Sequence, residues 1–580
     1  MPKVWNIGNT TVRNPKRIEN ALKVFLLEGF SGNAKGSDEE KRLHEKLKEH
    51  QVLEFDGEPS DWNGRKWRAA FYQLGFISYE KYTIGETKLT VKELFEKFGQ
   101  ANIYKPFQLT KSGQKLIDAS TVSEIDEIYT RQFLCYELPN SLEGSFPNGK
   151  LKPFVLFLEV LFQLQTQGNA GLNKFETGLF IQLFQDHVPG LSNSIVKKIL
   201  QLRTEFTAAK DSKAVKLIRD KYLKQLGNDC EINPLSVVGD YADTTFRYFS
   251  LSGMFTRVGD TIVIRPNKMA TAAKILEKEP EFLFNSKPVS YFEYFYNNTY
   301  PLPVDDVTFA IEEIRHLKEE VRDKANPLIT EAENVGSQTD VVMLQSIRQQ
   351  LTEYTKWEKE EDYAKEQQTT DSVKDILRYL KTLNGESISN KPDIDDKPAY
   401  LEWAVWRSFL AIDEIVCEIN KTRRFPIDQD FLPRNTAPGG GSDLIFEFEN
   451  YVLVVEVTLT VSNRQMAVES EPVRRHTVQY KEQYPSKDIY CLFIAPEVDN
   501  NVAETFRIGV WYKKDVEEFV NIVPMSLGAF NKTIEHLVTK KYRNRDFQNL
   551  LIRCLASRNV RAPQWQKSID KEVDDWIRNL

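Results

Sequence analysis

No stretch of this chain stays apolar for the ~18–20 residues that a membrane-spanning helix needs. The greasiest run, residues 154–162, carries Glu159 in its middle. The opening Met-Pro-Lys-Val-Trp-Asn has no apolar segment, so no secretory signal is expected there. Cysteine is scarce. Five residues (Cys135, Cys230, Cys417, Cys491 and Cys554) lie far apart with no CxxC pair, which excludes a cysteine-based zinc finger and fits reduced thiols. The six histidines are scattered, and no HExxH zinc motif occurs.

A strong excess of either charge is lacking too. The net charge is −7, which argues against a global field for holding a polyanion. The balance is uneven, however. Lys and Arg outnumber Asp and Glu by 40 to 36 over residues 1–300, whereas acids outnumber bases by 19 to 11 over residues 301–390. Nucleic acid would therefore be held by local basic clusters on one face, with steep salt dependence. The 41% hydrophobic and 28% charged composition is that of a globular protein, and 580 residues imply two to four domains.

Four segments follow from the patterning, and the expected fold class is multidomain α+β. Residues 1–150 read as a winged-helix-like module. They combine a helix from Ser37, a second that stops at Gly75 and feeds a short strand, and, over residues 107–117, a strand, a Thr/Ser cap and a further helix. Residues 151–304 repeat that grammar. Helices are expected over residues 172–184, 192–206 and 243–253, followed by a hairpin over residues 256–265 with Gly259-Asp260 at its tip. Residues 305–390 interleave acids and bases on helical periods and read as a helical linker. Residues 391–580 alternate helix and strand, as an α/β domain does.

The chemistry concentrates between Pro438 and Thr460. Two strands flank a Glu449-Asn450 turn, and Glu456 sits in an otherwise apolar strand. A carboxylate there is costly unless a cation meets it. The hairpin brings Asp443 alongside, so that Asp443, Glu456 and the Val457 carbonyl present hard oxygen ligands suited to Mg²⁺. The alternative from spacing alone is an ordinary hairpin with two surface carboxylates. An Asp followed by Glu-x-Lys is a nuclease signature, but Thr458 stands at the lysine position. Glu402, on an aromatic helix, and Glu469, in a segment with Arg474, Arg475 and His476, add two more carboxylates. Glu402 also reads as an exposed helix residue, and Glu469 as a helix N-terminal carboxylate. Arg474, Arg475 and His476 either bind phosphate or neutralise Glu469 and Glu471.

The runs Val455-Glu-Val-Thr-Leu-Thr, Glu469-Ser-Glu-Pro-Val-Arg-Arg-His and Tyr490-Cys-Leu-Phe-Ile-Ala-Pro-Glu resemble the AlwI-type restriction endonucleases, which include the BstNBI-like nicking enzymes. So do the opening Trp5-Asn-Ile-Gly-Asn-Thr-Thr-Val-Arg-Asn-Pro-Lys-Arg-Ile and the segment Ala242-Asp-Thr-Thr-Phe-Arg-Tyr-Phe. The resemblance implies FokI-like architecture: an N-terminal DNA-recognition part, a linker and a C-terminal PD-(D/E)xK cleavage domain. It implies a type IIS, Mg²⁺-dependent endonuclease that reads a short asymmetric duplex sequence and cuts a few nucleotides away. By the same resemblance the catalytic set is Asp443, Glu456, Glu469 and Glu402; the absent lysine leaves open which group orients the attacking water, and Glu469 is the candidate. Ser442 stands where the family has Pro.

Expected DNA contacts are Arg13, Lys16, Arg17, Arg65, Lys66, Arg68, Lys111, Arg247 and Arg257, with Arg474 and Arg475 in the cleavage domain, since Arg is the usual reader of guanine. Lys115 is a further candidate. The expected partners are double-stranded DNA and either a transient homodimer or a small nuclease subunit, in a bacterial cytoplasm. Two alternatives stand beside this: a strand-specific nickase or the large subunit of a heterodimeric enzyme, and a DNA-binding regulator whose nuclease-like domain is inactive.

Overall fold

The structure is a computed structural model that describes residues 3–33, 36–53, 61–79, 107–140, 149–461, 463–540 and 543–579. It is a mixed α+β protein of two compact units, Met1–Glu353 and Tyr354–Leu580, and the division falls inside the helix Val341–Glu366. No described helix is long and apolar enough to cross a membrane.

The first unit contains short strands β1 (Ile77–Tyr79) and β2 (Phe107–Leu109), paired antiparallel. It also contains β3 (Leu172–Asn173), β4 (Phe255–Val258) and β5 (Thr261–Ile264), which form an antiparallel sheet in the order β3-β5-β4. The span expected as one helix over residues 172–184 divides instead. Leu172 and Asn173 pair with β5, and the helix is Lys174–Phe180. Asn173 explains the boundary: its side chain accepts from the Glu176 amide while Glu176 returns a bond to the Asn173 amide. Such a capping box satisfies two otherwise orphaned amides, and losing the cap costs ~1 kcal/mol. The next helix, Ala242–Phe249, gives way to a 3₁₀ turn at Ser250–Ser252 and closes on Gly253. The β4–β5 hairpin follows, turning at Gly259-Asp260.

The segments expected as separate modules share one hydrophobic core, which runs in sequence from Trp5 to Phe309. Trp5 explains part of this. Its indole Nε1 donates to the Ile181 carbonyl at 3.0 Å, so the N-terminal segment packs on residues of the later span. Phe133 stacks on Phe154 at 5.5 Å and meets Phe249 edge-on at 5.4 Å. The segment expected as a linker is helical, but it belongs to the two units rather than standing between them. Phe309 joins the first core, whereas Val373, Ile376, Leu377 and Leu380 of the helix Thr370–Leu383 join the second. That i, i+3, i+4, i+7 stripe is the apolar face of a packed helix.

The second unit is built on β6 (Leu444–Glu447), β7 (Tyr451–Val457), β8 (Asp488–Ala495), β9 (Val510–Lys513), β10 (Val516–Phe519) and β11 (Ile522–Ser526). Four of these form a sheet in the order β11-β8-β7-β6. β6 and β7 pair antiparallel around the Glu449-Asn450 turn, and β7, β8 and β11 run parallel. β9 and β10 form a separate hairpin. Residues 451–456 are buried on both faces of β7, as a central strand covered by helices requires.

Candidate active site

Two helices, the strand β7 and the residue just ahead of β6 supply the four carboxylates of the second unit. Glu402 lies on the helix Lys397–Ile412, which starts at Asp396, whose carboxylate caps the Ala399 amide. Trp403 and Trp406 anchor that helix through indole hydrogen bonds to the Phe431 carbonyl and the Thr422 hydroxyl. Glu402 is thereby turned inward. It is only 5% exposed, and its Oε2 accepts from the Ala437 amide at 2.7 Å. It is not the surface residue that its helix position also allowed.

Asp443 directly precedes β6, and its Oδ2 accepts from the Val457 amide at 2.8 Å. That bond ties the first carboxylate to the strand end that carries the second. Glu456 is buried in β7, and its Oε1 lies 2.7 Å from Nδ1 of His476, which is also buried. Glu469 and His476 both belong to the helix Asn463–Gln483. Glu469 is hydrogen-bonded by Thr458, the residue at the position where a lysine was absent.

The electrostatics couple these groups. Burial, then repulsion from Asp443, pushes Glu402 well above the usual carboxylate range. Asp443 is raised by burial and then by Glu456. Burial and the nearby Glu469 push Glu456 up to about 8. Glu469 is raised by burial against the opposing hydrogen bond from Thr458. Burial also lowers His476, helped by Arg475. Carboxylates raised by burial and by neighbouring carboxylates are the kind of groups that functional sites use. Their oxygens are hard donors, so the set fits Mg²⁺ by its chemistry. Among the described residues, no three His, Cys, Asp or Glu side chains stand close enough together to hold a metal ion by themselves. Asp443 and Glu456 would therefore need a backbone oxygen or solvent to complete a ligand shell.

Within the glycine run before Asp443, Gly439 and Gly440 border open space, whereas Gly441 packs against protein. A Cβ on Gly441 would lie 2.4 Å from the Arg424 guanidinium, which donates to the Gly439 and Ser442 carbonyls. Arg424 was not among the sequence candidates, although its charge opposes the rise of Glu456. Its signal was the paired Arg423-Arg424 ahead of the glycines. His476 was noted only as a phosphate ligand or a neutraliser of Glu469 and Glu471, not as the partner of Glu456. Helix spacing from Glu469 places it about two turns on, but only the fold aims it at β7.

The expected DNA contacts fall into distinct environments. Arg474 donates to the Val510 carbonyl and lies over the Trp511 ring, so it anchors the β9–β10 hairpin. Arg475 pairs with Glu471 near the surface. Arg17 donates to the Val52 carbonyl. Arg65 and Lys66 lie over the exposed Trp62 ring. Arg68 is a correction: it is 4% exposed, ion-paired with Glu40 at 2.6 Å and stacked on Phe107. A guanidinium so enclosed cannot reach a base edge without leaving the core. Arg13 and Lys111 are exposed, Lys16 is half-buried, and Lys115 donates to the Asn298 carbonyl. Arg247 and Arg257 both approach Asp243.

No curated protein matches the chain. Among solved structures, similarity extends to the small subunit (R.BspD6I2) of the heterodimeric restriction endonuclease R.BspD6I. The match has 21% identity over 36% of this chain and 99% of that one, with a TM-score of 0.28. It extends also to the BpuJ1 endonuclease binding domain in complex with pyrene- and phenanthrene-modified DNA, at 12% identity over 48% and 89% of the two chains, with a TM-score of 0.30. A family model described as AlwI restriction endonuclease matches residues 72–533, well over half of the sequence. The chain therefore belongs to the AlwI restriction endonuclease family and is a DNA endonuclease.

Proposed function

We propose that the protein is a type IIS endonuclease that binds a short asymmetric duplex sequence through its first unit and hydrolyses phosphodiester bonds nearby with the carboxylate cluster of its second. The observation that carries this reading is the Asp443–Val457–Glu456 arrangement. The Val457 amide, next to Glu456, donates to Asp443 at 2.8 Å, and the charge of Glu456 raises Asp443 while that of Glu469 raises Glu456. A decayed domain has no physical reason to keep Glu402 and Glu456 buried with Asp443 and Glu469 half-buried beside them.

Support for a PD-(D/E)xK-type cleavage domain comes from the β11-β8-β7-β6 sheet, with its antiparallel β6–β7 hairpin carrying the acids. The β3-β5-β4 sheet, with its hairpin following the helix Ala242–Phe249, supports a winged-helix module in the first unit.

Asp443, Glu456 and the Val457 carbonyl would hold Mg²⁺, which when bound supplies Lewis-acid charge against that developing on the phosphate. The chain's own groups divide the remaining work. His476 holds the Glu456 carboxylate in one orientation. Glu469, with its raised pKa, orients and deprotonates the attacking water in place of the absent lysine. Glu402, fixed by the Ala437 amide, orients solvent beside Asp443. Arg475 stands near enough to influence Glu456 and contacts the phosphate backbone.

The test is to incubate the full chain with supercoiled plasmid and Mg²⁺ and to sequence the ends. Cuts at one fixed offset from one short asymmetric motif are expected. Open circles alone would make the enzyme a nickase, and linear product would require a second cleavage domain. Sequence-specific binding without scission, with either Mg²⁺ or Mn²⁺, would defeat the proposal.

A further inference from the structure

A cleft of about 450 Å³ lies in the first unit, far in sequence from the carboxylates, between the N-terminal segment and the helix Ala242–Phe249. Thr10, Thr11 and Arg13 line one side, and Asp240, Thr244 and Arg247 line the other. The close approach depends on Gly8. A Cβ there would lie 2.2 Å from the Tyr248 ring, and its φ of +77° suits glycine.

Arg247 is held rigidly for a surface-lining arginine. Its Nε donates to Asp243 Oδ2 at 2.6 Å, and its Nη1 donates to the Arg13 carbonyl at 3.0 Å. Those bonds use two of the five guanidinium protons and fix the plane. Asp243 is itself fixed, with Lys174 Nζ at 2.5 Å and Arg257 Nη2 at 3.9 Å. Burial opposes its charge, but Lys174 and Arg247 prevail and keep the carboxylate ionised. Asp240 is exposed at the cleft beside them.

A phosphate would meet two carboxylates in this cleft, and they repel it. The major-groove edge of a G·C pair fits better. Guanine offers two acceptors, O6 and N7, beside the cytosine N4 donor. A fixed guanidinium next to an exposed carboxylate presents the complementary pattern. Resting on the site-specific endonuclease reading above, we infer that this cleft reads one G·C pair of the recognition sequence. Arg247 makes the bidentate contact to guanine, Asp240 accepts from cytosine, and Asp243 acts as a positioning residue for Arg247.

The test is selection of bound duplexes from a randomised library without divalent cation. It is followed by competition binding across every single-position change in the selected motif, at several salt concentrations. The probes are the wild-type full chain, Arg247→Ala, Arg247→Lys and Asp240→Asn. The wild-type chain is expected to select one motif. Arg247→Ala and Arg247→Lys are each expected to lose about 10- to 100-fold of the guanine preference at a single position. Preferences at the other positions should persist. Asp240→Asn, an exposed change that leaves the core untouched, is expected to relax choice at the same base pair. An unchanged motif in the Arg247 variants would overturn the inference. So would equal weakening at all positions with a shallower salt dependence, because that is the signature of a phosphate contact. Relaxation by Asp240→Asn at a different pair would overturn it as well. If the wild-type chain binds duplex with no sequence preference, the site-specific reading itself fails, and that outcome is distinct from the others.

Discussion

His476 Nδ1 lies 2.7 Å from Glu456 Oε1, so the single carboxylate within the central strand β7 is held by a ring from the helix Asn463–Gln483. Glu456 is raised and His476 is lowered, so each is biased towards its neutral form in the metal-free chain. The contact therefore positions the carboxylate rather than neutralising it with a standing charge.

The first prediction concerns the chemistry. Asp443→Asn and Glu456→Gln should each reduce cleavage to background while leaving specific duplex binding intact. Neither should destabilise the fold strongly, because each removes a charge that burial already opposes. Plasmid cleavage, gel-shift titration and thermal melting of the same preparations check this. Wild-type cleavage by either variant would remove that residue from the site.

The pH dependence of stability follows from Glu456. Its folded pKa of about 8 lies above the ordinary glutamate value of about 4.3, so the folded state binds the extra proton between those values. In the metal-free chain, the stability contributed by this group is full below about pH 4 and is lost progressively as pH rises to about 8. The total is on the order of a few kcal/mol. Thermal melts in chelator across that range should show it, and Glu456→Gln should flatten the slope. A wild-type slope retained in that variant would assign the effect elsewhere.

Cation uptake should be linked to the same proton. Mg²⁺ or Ca²⁺ binding to the ionised carboxylates should release protons below about pH 8 and tighten as pH rises. Calorimetry in buffers of different ionisation enthalpy reads the proton count directly. A count of zero at pH 7 would show that Glu456 does not carry the proton.

His476→Ala should cost about 10- to 100-fold in activity or cation affinity, as loss of a partner that orients a metal ligand typically does. The effect should shift the pH–rate profile, which a purely structural defect would not do. An unchanged profile at full activity would leave His476 with no part in the site.

A structural control lies in the first unit. Arg68→Ala strands the buried Glu40 carboxylate and should destabilise that unit by about 3–5 kcal/mol. Its effect on DNA binding should follow unfolding alone. A stable variant with selectively weakened binding would return Arg68 to the list of DNA contacts.

The sequence by itself determined the parts whose causes are local. The Thr110 cap, the Glu449-Asn450 turn and the Gly259-Asp260 hairpin were legible because each depends on a few adjacent residues, whereas the Asn173 cap was hidden inside an apolar helical period. The Asp443 and Glu456 pairing was legible for the same reason, since a two-strand hairpin sets its own register. Tertiary structure decided everything that depends on distant surfaces meeting. It sent Trp5 and Phe133 into a core shared with residues beyond 150, turned Glu402 inward, buried Arg68 against Glu40 and brought His476 to Glu456. Arg68 and Arg247 are both arginines on amphipathic helices followed by a glycine and a strand, and periodicity alone does not separate them. One is enclosed by Glu40 and Phe107, and the other lines a cleft against the N-terminal segment. A charged side chain takes its function from the surfaces that desolvate and orient it. Those surfaces come from parts of the chain far away in sequence.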